Sequence, residues 1–509
     1  MRSRHALPCS WVGLPMIHLA VALAVGFVAM MLVWLRLKSL RMPLLVYFTA
    51  YTVTTVIGAA ALLDKAGLRE FQINQPMFRQ EDYPLIGSMT YWVLLLSPFF
   101  LVPVGAAAGE HAAKIRLADR LAAFVNRDEK YIIPIVYAIA SGCAAYCLWK
   151  LMAIGAYFPA LYFDRTLVCD VRLMKRIELF GELRYLYYAF AYSVLPIAAT
   201  VALLSWRKEG RNLHAGMFVV LFAAVMYLNI VLYMKANLVV FFLVLLFGCI
   251  LAKAPLRFLL TLSLIAAACL LLMQGLLGCY RNSFPQTSRS NGLVSVALAT
   301  SISTEGHQEM FGGVRASAFH VVADAQPTRS QMSPEAVFVD AAVIFVRSVI
   351  FRMAASVPYY VQIFSNPDER CGIEWNSLPF FPIKTCYPPT KVGTRVNPGP
   401  IQEFLSAPAH IAAYAELGLG YSFIVLLLAG SIMGFFWGIT QKVQSLLLWS
   451  VGVAVCVFAY YLTQASLIGA IAHSYGFVWY LFPIVAATVI HALAKITILP
   501  AIENKSAIE

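Results

Sequence analysis

Runs of some twenty apolar residues recur along this chain, and no other feature limits its fold so strongly. At 1.5 Å of rise per residue, about 20 residues of helix cross a hydrocarbon core about 30 Å thick. Lipid offers the backbone no hydrogen-bond partner, so a spanning segment must pair its own N–H and C=O groups, as a helix does. The expected fold is therefore an all-α polytopic membrane protein with about eleven transmembrane helices. The runs fall near Met16–Trp34, Leu44–Leu63, Met89–Gly109, Tyr131–Ala156, Tyr185–Trp206 and Ala215–Tyr233. Five more lie near Leu238–Leu251, Arg257–Leu277, Glu416–Gly438, Ser445–Thr463 and Tyr475–Ala494. Composition agrees: 61% of residues are hydrophobic and 12% charged, which a soluble globule does not show.

The net charge of +13 would suit nucleic acid if it were gathered on one face. Instead the basic residues are divided among short loops: Arg36, Lys38 and Arg41 after the first run, Lys114, Arg116, Arg120, Arg127 and Lys130 after the third. Arg207, Lys208 and Arg211 follow the fifth run, Lys253 and Arg257 the seventh, and Lys442 the ninth. This is the positive-inside pattern, so these loops are expected in the cytoplasm and no nucleic-acid partner is expected. Three regions follow: a bundle of about eight spans over residues 1–278, a large outer loop over 279–410, and a bundle of about three spans over 411–509. A smaller outer loop is expected over 157–184.

The outer loops carry the residues that suggest chemistry. The smaller holds Arg165, Arg172, Lys175, Arg176 and Arg184. The larger adds Arg281, Arg315, Arg347, Arg352, Arg370, Lys384, Lys391 and Arg395. Cations on this side run against the usual bias and ask for an anionic partner; guanidinium binds phosphate through two parallel hydrogen bonds. Salt bridging with Asp164, Asp170, Glu178 and Glu182 is the competing account of the first set. Residues 334–357 read as an interfacial helix with Arg347 and Arg352 in an otherwise apolar run. Pro358 is expected to end or kink it just before Tyr359 and Tyr360. Those tyrosines can stack on sugar rings or anchor the segment at the interface; both readings stay open.

His307, His320 and His410, with Glu305, Asp340, Glu374 and Glu403, are candidate general bases, although each alone is an ordinary polar loop residue. No HExxH, phosphate-cradling GxxxxGK[ST] or nucleophile elbow occurs, and the ten cysteines show no metal-ligand spacing, so neither a metal nor a cofactor is expected. Cys371 and Cys386 lie in the large loop at a spacing that a disulfide closes readily. Gly430, Gly434 and Gly438, four apart, form one small-residue helix face.

The order of these features resembles the Wzy-like polymerases of oligosaccharide repeat units. The residues that carry the resemblance are Arg347 and Arg352 ahead of Pro358-Tyr359-Tyr360, then Asn397-Pro-Gly-Pro and Ala415-Glu416-Leu-Gly418-Leu-Gly-Tyr421. The resemblance implies a GT-C-like, inverting, metal-independent membrane glycosyltransferase of the bacterial cytoplasmic (inner) membrane. Such an enzyme moves a growing glycan from undecaprenyl diphosphate to the next lipid-linked repeat, with a flippase and a chain-length regulator as partners beside membrane lipids. Arg352, Arg347, Tyr359 and Glu416 would then be catalytic. Arg172, Arg176, Arg184, Arg281, Tyr360, Arg395 and Asn397 would bind substrate. The rivals are an O-antigen ligase, which would depend on an outer-loop histidine, and a transporter, which would place charges within its spans.

Overall fold

The computed structural model describes residues 17–64, 68, 83–155, 184–232, 234–276, 353–373, 386–396 and 405–506. Among them every regular element is helical. Seven helices are long and apolar enough to cross a membrane, and an eighth span results if the bent pair Met89–Leu96 and Pro98–Ala112 is one. By length and composition this is a polytopic, all-helical membrane protein.

The expected apolar runs are largely helical where they are described, and two of the helices, Ala236–Leu251 and Leu446–Tyr461, are shorter than a span. The chain runs α1 (Ile17–Arg36), α2 (Arg41–Tyr51), α3 (Ile57–Ala61), α4 (Met89–Leu96), α5 (Pro98–Ala112) and α6 (Arg116–Ala153). It continues through α7 (Arg184–Ala189), α8 (Leu195–Glu209), α9 (Asn212–Val231), α10 (Lys235–Leu251) and α11 (Leu256–Leu276). After the large loop come α12 (Val357–Ile363), α13 (Pro388–Val396), α14 (Ala409–Leu417), α15 (Leu419–Thr440), α16 (Leu446–Tyr461), α17 (Leu467–Ala472) and α18 (Phe477–Ser506).

Helices α8 and α16 form the centre. Every residue of α8 from Leu195 to Ser205 is buried, and α16 is buried along nearly its whole length. A helix enclosed by others need not match the hydrocarbon thickness, which explains why α16 is short. Around them α1 and α11 turn large apolar side chains outward, such as Phe27 at 64% and Leu264 at 70% exposure. That is the surface lipid would cover.

One seam shows how close two helices come. A methyl group on Gly105 or Gly109 of α5 would strike the backbone of Leu427 or Ser431 on α15. On Gly430 or Gly434 it would strike Val102 or Ala106 in return. Gly438 faces Ala113 Cβ. The glycine face legible on α15 thus meets a second on α5, and only hydrogen side chains permit the approach.

Two spans contain a π-helical turn, Thr52–Val56 between α2 and α3 and Phe190–Val194 between α7 and α8. Widening a helix by one residue loosens its i→i−4 ladder and lets a carbonyl pair elsewhere. Thr54 O accepts from Ala354 N–H at 3.2 Å, and Tyr192 O accepts from the Tyr480 hydroxyl at 2.9 Å.

The stretch read as a loop around Lys114–Lys130 is largely helix. α6 has 38 residues, about 57 Å at helical rise, so its first turns project beyond any hydrocarbon core of about 30 Å. There Asp128 and Glu129 are buried at 4% and 8% exposure. Glu129 accepts from Lys208 Nζ at 3.0 Å, from Leu446 N–H at 2.7 Å and from the Ser445 hydroxyl. Asp128 meets Lys495 Nζ and His491 Nε2, each at 3.3 Å. These carboxylates join α6 to α8, α16 and α18.

Candidate functional site

The opposite end of the bundle is closed by a strap made of residues 353–373, 386–396 and 405–417. That the two ends are opposite follows from α16, which starts against Glu129 and ends where Leu462 O accepts from Ala409 N–H at 2.9 Å.

The strap enters at Met353–Ser356, which is a turn. Its Ala354 N–H is held by the π-helical turn at Thr54. Pro358 lies in the first turn of α12. Pro358, expected to end or kink a helix, here opens one: proline lacks an N–H, and at a helix start that donor has no intrahelical partner to lose. Of the expected interfacial helix 334–357, residues 334–352 lie outside the described residues. Tyr359 and Tyr360 fall inside α12 and are buried at 3% and 0% exposure. The Tyr359 ring meets Tyr83 edge-on at 4.9 Å, and the Tyr360 hydroxyl donates to Leu405 O at 2.9 Å. Gln362 Oε1 accepts from Leu85 N–H at 3.4 Å. Burying side chains of this size stabilises the docking by roughly 1.5–3 kcal/mol each.

After α12 the chain turns through Pro367–Glu369 and pairs with the C-terminus of α14. Cys371 N–H donates to Ala415 O at 3.1 Å and Gly372 N–H to Glu416 O at 3.0 Å. The last carbonyls of a helix lack intrahelical donors, and here the strap supplies them. A disulfide joins Cys371 to Cys386, with Cα atoms 5.1 Å apart, and carries the chain directly into α13. Lys391 Nζ then reaches back to Glu369 Oε2 at 2.6 Å and Glu369 O at 2.7 Å. Arg395 Nη2 meets Glu369 Oε1 at 3.2 Å. The hydrogen bond from Lys391, helped by the charges of Lys391 and Arg395, holds the Glu369 carboxyl below the usual range.

The segment read as the run-in to a span is two helices. Residues Ala409–Glu416 of α14 are all buried, and the break before α15 is Gly418 at φ +92°. Glycine reaches that conformation without strain. Space demands it as well: a Cβ there would sit 2.8 Å from Arg370 Cζ and Nη1. The Arg370 guanidinium therefore lies flat on the helix break. Its Nε donates to Phe364 O at 3.4 Å, and it is near enough to Tyr414 to oppose the upward push of burial on that phenol.

His410 is enclosed at 0% exposure. Its Nε2 lies 3.0 Å from Leu94 O and 3.3 Å from the Tyr51 hydroxyl. Since a carbonyl only accepts, Nε2 carries the proton. Burial pushes the imidazole pKa down to about 3, so the ring is neutral and structural.

Of the sequence-predicted site residues, the strap brings together Tyr359, Tyr360, Arg395, Glu416 and the two cysteines. Glu416 is buried at 4% exposure, and Arg395 is bound to Glu369. Arg184 begins α7. Arg172, Arg176, Arg281, Arg347, Arg352 and Asn397 lie outside the described residues, as do His307 and His320. Arg370 was legible only as one cation among many; the signal that singles it out is its pairing with Gly418, which needs the fold. Among the described residues, no three or more His, Cys, Asp or Glu side chains are grouped to hold a metal ion. No protein-family model matches the chain, and neither a curated protein nor a solved structure matches it.

Proposed function

We propose that this protein is a membrane glycosyltransferase that polymerises lipid-linked oligosaccharide repeat units of a surface polysaccharide. The growing glycan would pass from a polyprenyl diphosphate to the non-reducing end of a new lipid-linked repeat. The observation that carries the reading is Arg370, laid on the Gly418 helix break within a disulfide-closed strap that also bears Lys391 and Arg395. A guanidinium at a break between helices, at the end of an apolar bundle, suits a diphosphate whose isoprenoid tail remains in lipid. Charge grows on that diphosphate as the glycosidic bond breaks, and a preorganised guanidinium stabilises it there. Arg352 and Arg347 precede the strap directly in sequence and would complete the cationic site, with Glu416 beside the break.

Two features weigh against the rivals. A ligase reading rests on an outer-loop histidine; of the three candidates His410 is sealed and neutral, while His307 and His320 lie outside the described residues. A transporter reading asks for charges deep within spans, whereas buried Asp128 and Glu129 sit near one end of the bundle, paired to cations.

The test is reconstitution in nanodiscs with polyprenyl-diphosphate-linked repeats, read as a glycan ladder on a gel. Wild-type protein is expected to build a ladder, and Arg370→Ala to slow it about 10²–10³-fold. Arg370→Lys should be nearly as slow, because lysine keeps the charge but loses the planar fork. Unextended single repeats with well-folded wild type would refute the reading, and transfer only to a lipid A core acceptor would replace it with a ligase.

A further inference from the structure

Beside the strap, the same end of the bundle holds an imidazole–carboxylate pair that the cationic site does not use. His18, in the first turn of α1, places Nδ1 2.9 Å from Asp64 Oδ1. The Asp64 side chain is 6% exposed and that of His18 47%. On its other flank the imidazole stacks with Trp92 of α4, centroids 6.1 Å apart and planes 27° apart. Asp64 Oδ2 also accepts from Leu19 N–H at 3.4 Å. Capping of α1 accounts for that last contact, but a cap does not call for an imidazole on the other oxygen.

The arrangement fixes the ring chemically. A neutral imidazole that donates Nδ1–H to a carboxylate presents its lone pair on Nε2. Asp64 is the charged group within ion-pair distance of His18 among the described residues, and the ring facing it from α4 is the uncharged Trp92. The pair is also joined to the strap. Residues 83–88 carry Tyr83 against Tyr359 and Leu85 N–H on Gln362, and then run into α4 beneath His18.

We propose that His18 is the general base of the transfer, held in its working tautomer by Asp64. The inference rests on the polymerase reading. Nε2 removes the proton from the acceptor sugar hydroxyl as that oxygen bonds to the anomeric carbon. The bond from the anomeric carbon to the diphosphate oxygen breaks, and its electron pair leaves with the polyprenyl diphosphate. Asp64 carries the charge opposite the imidazolium until the proton passes to solvent. A half-exposed imidazole suits a base that must meet a sugar rather than a lipid.

The experiment uses full-length protein in nanodiscs with polyprenyl-diphosphate-linked repeats, across a pH series. His18→Gln is expected to lower the transfer rate about 10²–10⁴-fold, with unchanged folded yield and unchanged retention of lipid-linked repeat. Its residual rate should no longer fall on the acid side. Asp64→Asn keeps the shape but lets an amide N–H face Nδ1, which favours the tautomer protonated on Nε2, so it should lose rate while KM holds. An active wild type with an indifferent His18→Gln and an unchanged pH profile overturns the base alone. Wild-type protein without transfer overturns the polymerase reading and the base with it. A His18→Gln protein that loses rate only in proportion to lost folded yield assigns the pair to capping α1 and overturns the proposal.

Discussion

The two ends of this bundle handle charge in contrasting ways. At one end acids are the hubs: Glu129 holds Lys208, Ser445 and Leu446 together, and Asp128 holds Lys495 and His491. Each buried carboxylate is enclosed by donors from helices distant in sequence, which locks α6, α8, α16 and α18 in register. At the other end the buried polar groups are mostly tied to backbone, as with His410 on Leu94 O and Tyr360 on Leu405 O. There Lys391 and Arg395 share the carboxylate of Glu369, and Arg370 rests on a glycine. The first arrangement spends its charge on holding helices together. The second gathers Arg370, Lys391 and Arg395 along one strap, the cations that the proposed function assigns to an anionic substrate.

Removing a hub should be the most costly change. Glu129→Ala would leave the Ser445 hydroxyl and the Leu446 N–H without their acceptor and Lys208 without its partner. The expected loss is about 3 kcal/mol, seen as a lower melting temperature of the solubilised protein and a smaller monodisperse peak. A variant as stable as wild type would mean that this end is not the scaffold the contrast makes it.

The disulfide tests the other end. Cys371 and Cys386 are separated by 15 positions, and closing a loop of that size contributes about 3 kcal/mol through the unfolded state. Cys371→Ser is expected to loosen α13 from Pro367–Glu369 while leaving the spans assembled. Limited proteolysis should then cut the strap before the bundle melts. Simultaneous loss of both would show the strap and the bundle to be one cooperative unit.

Acid should act through His410, gradually over several pH units. Its folded pKa of about 3 lies below the unfolded value, so the unfolded chain takes up the proton first. Its contribution is therefore complete above about pH 6.5 and falls by up to about 1.4 kcal/mol per pH unit below that, until pH passes the folded pKa. His410→Gln should flatten this part of the stability profile between pH 6 and 4. An unchanged slope would assign the acid sensitivity to other groups.

What could be read from the sequence divides along the same line. The apolar runs and the glycine face on α15 were legible because lipid burial and close helix packing act through local patterns. The breaks were not. AHIAAYAEL merges into the following apolar run, and only the Arg370 guanidinium over Gly418 shows why a separate helix ends there. Pro358 was legible as a boundary but not as a beginning, since the sequence does not say which side of it is helical. Asp128 and Glu129 do not stand out beside Arg127 and Lys130, because their partners lie far along the chain, Lys495 being 367 positions away. His18 gave no signal for the same reason, with Asp64 at a separation of 46.

The smallest expected effect gives the finest test of the contrast. Arg395 is paired to Glu369, but its side chain is 62% exposed, and an ion pair so open to water contributes about 0–1 kcal/mol. Arg395→Gln should leave the melting temperature nearly unchanged, because Lys391 still holds Glu369 and the disulfide still closes the strap. If the cations at this end serve an anion, the variant should nevertheless bind a lipid-linked diphosphate more weakly, and the deficit should shrink as salt rises. Binding to nanodisc-embedded protein at low and high ionic strength reads this directly. Equal affinity at every salt concentration would make Arg395 a strut of the strap, leaving Arg370 and the arginines ahead of α12 to supply the charge. A measurable loss of stability without loss of binding would invert the comparison, placing a structural ion pair where the strap was expected to keep its charge free.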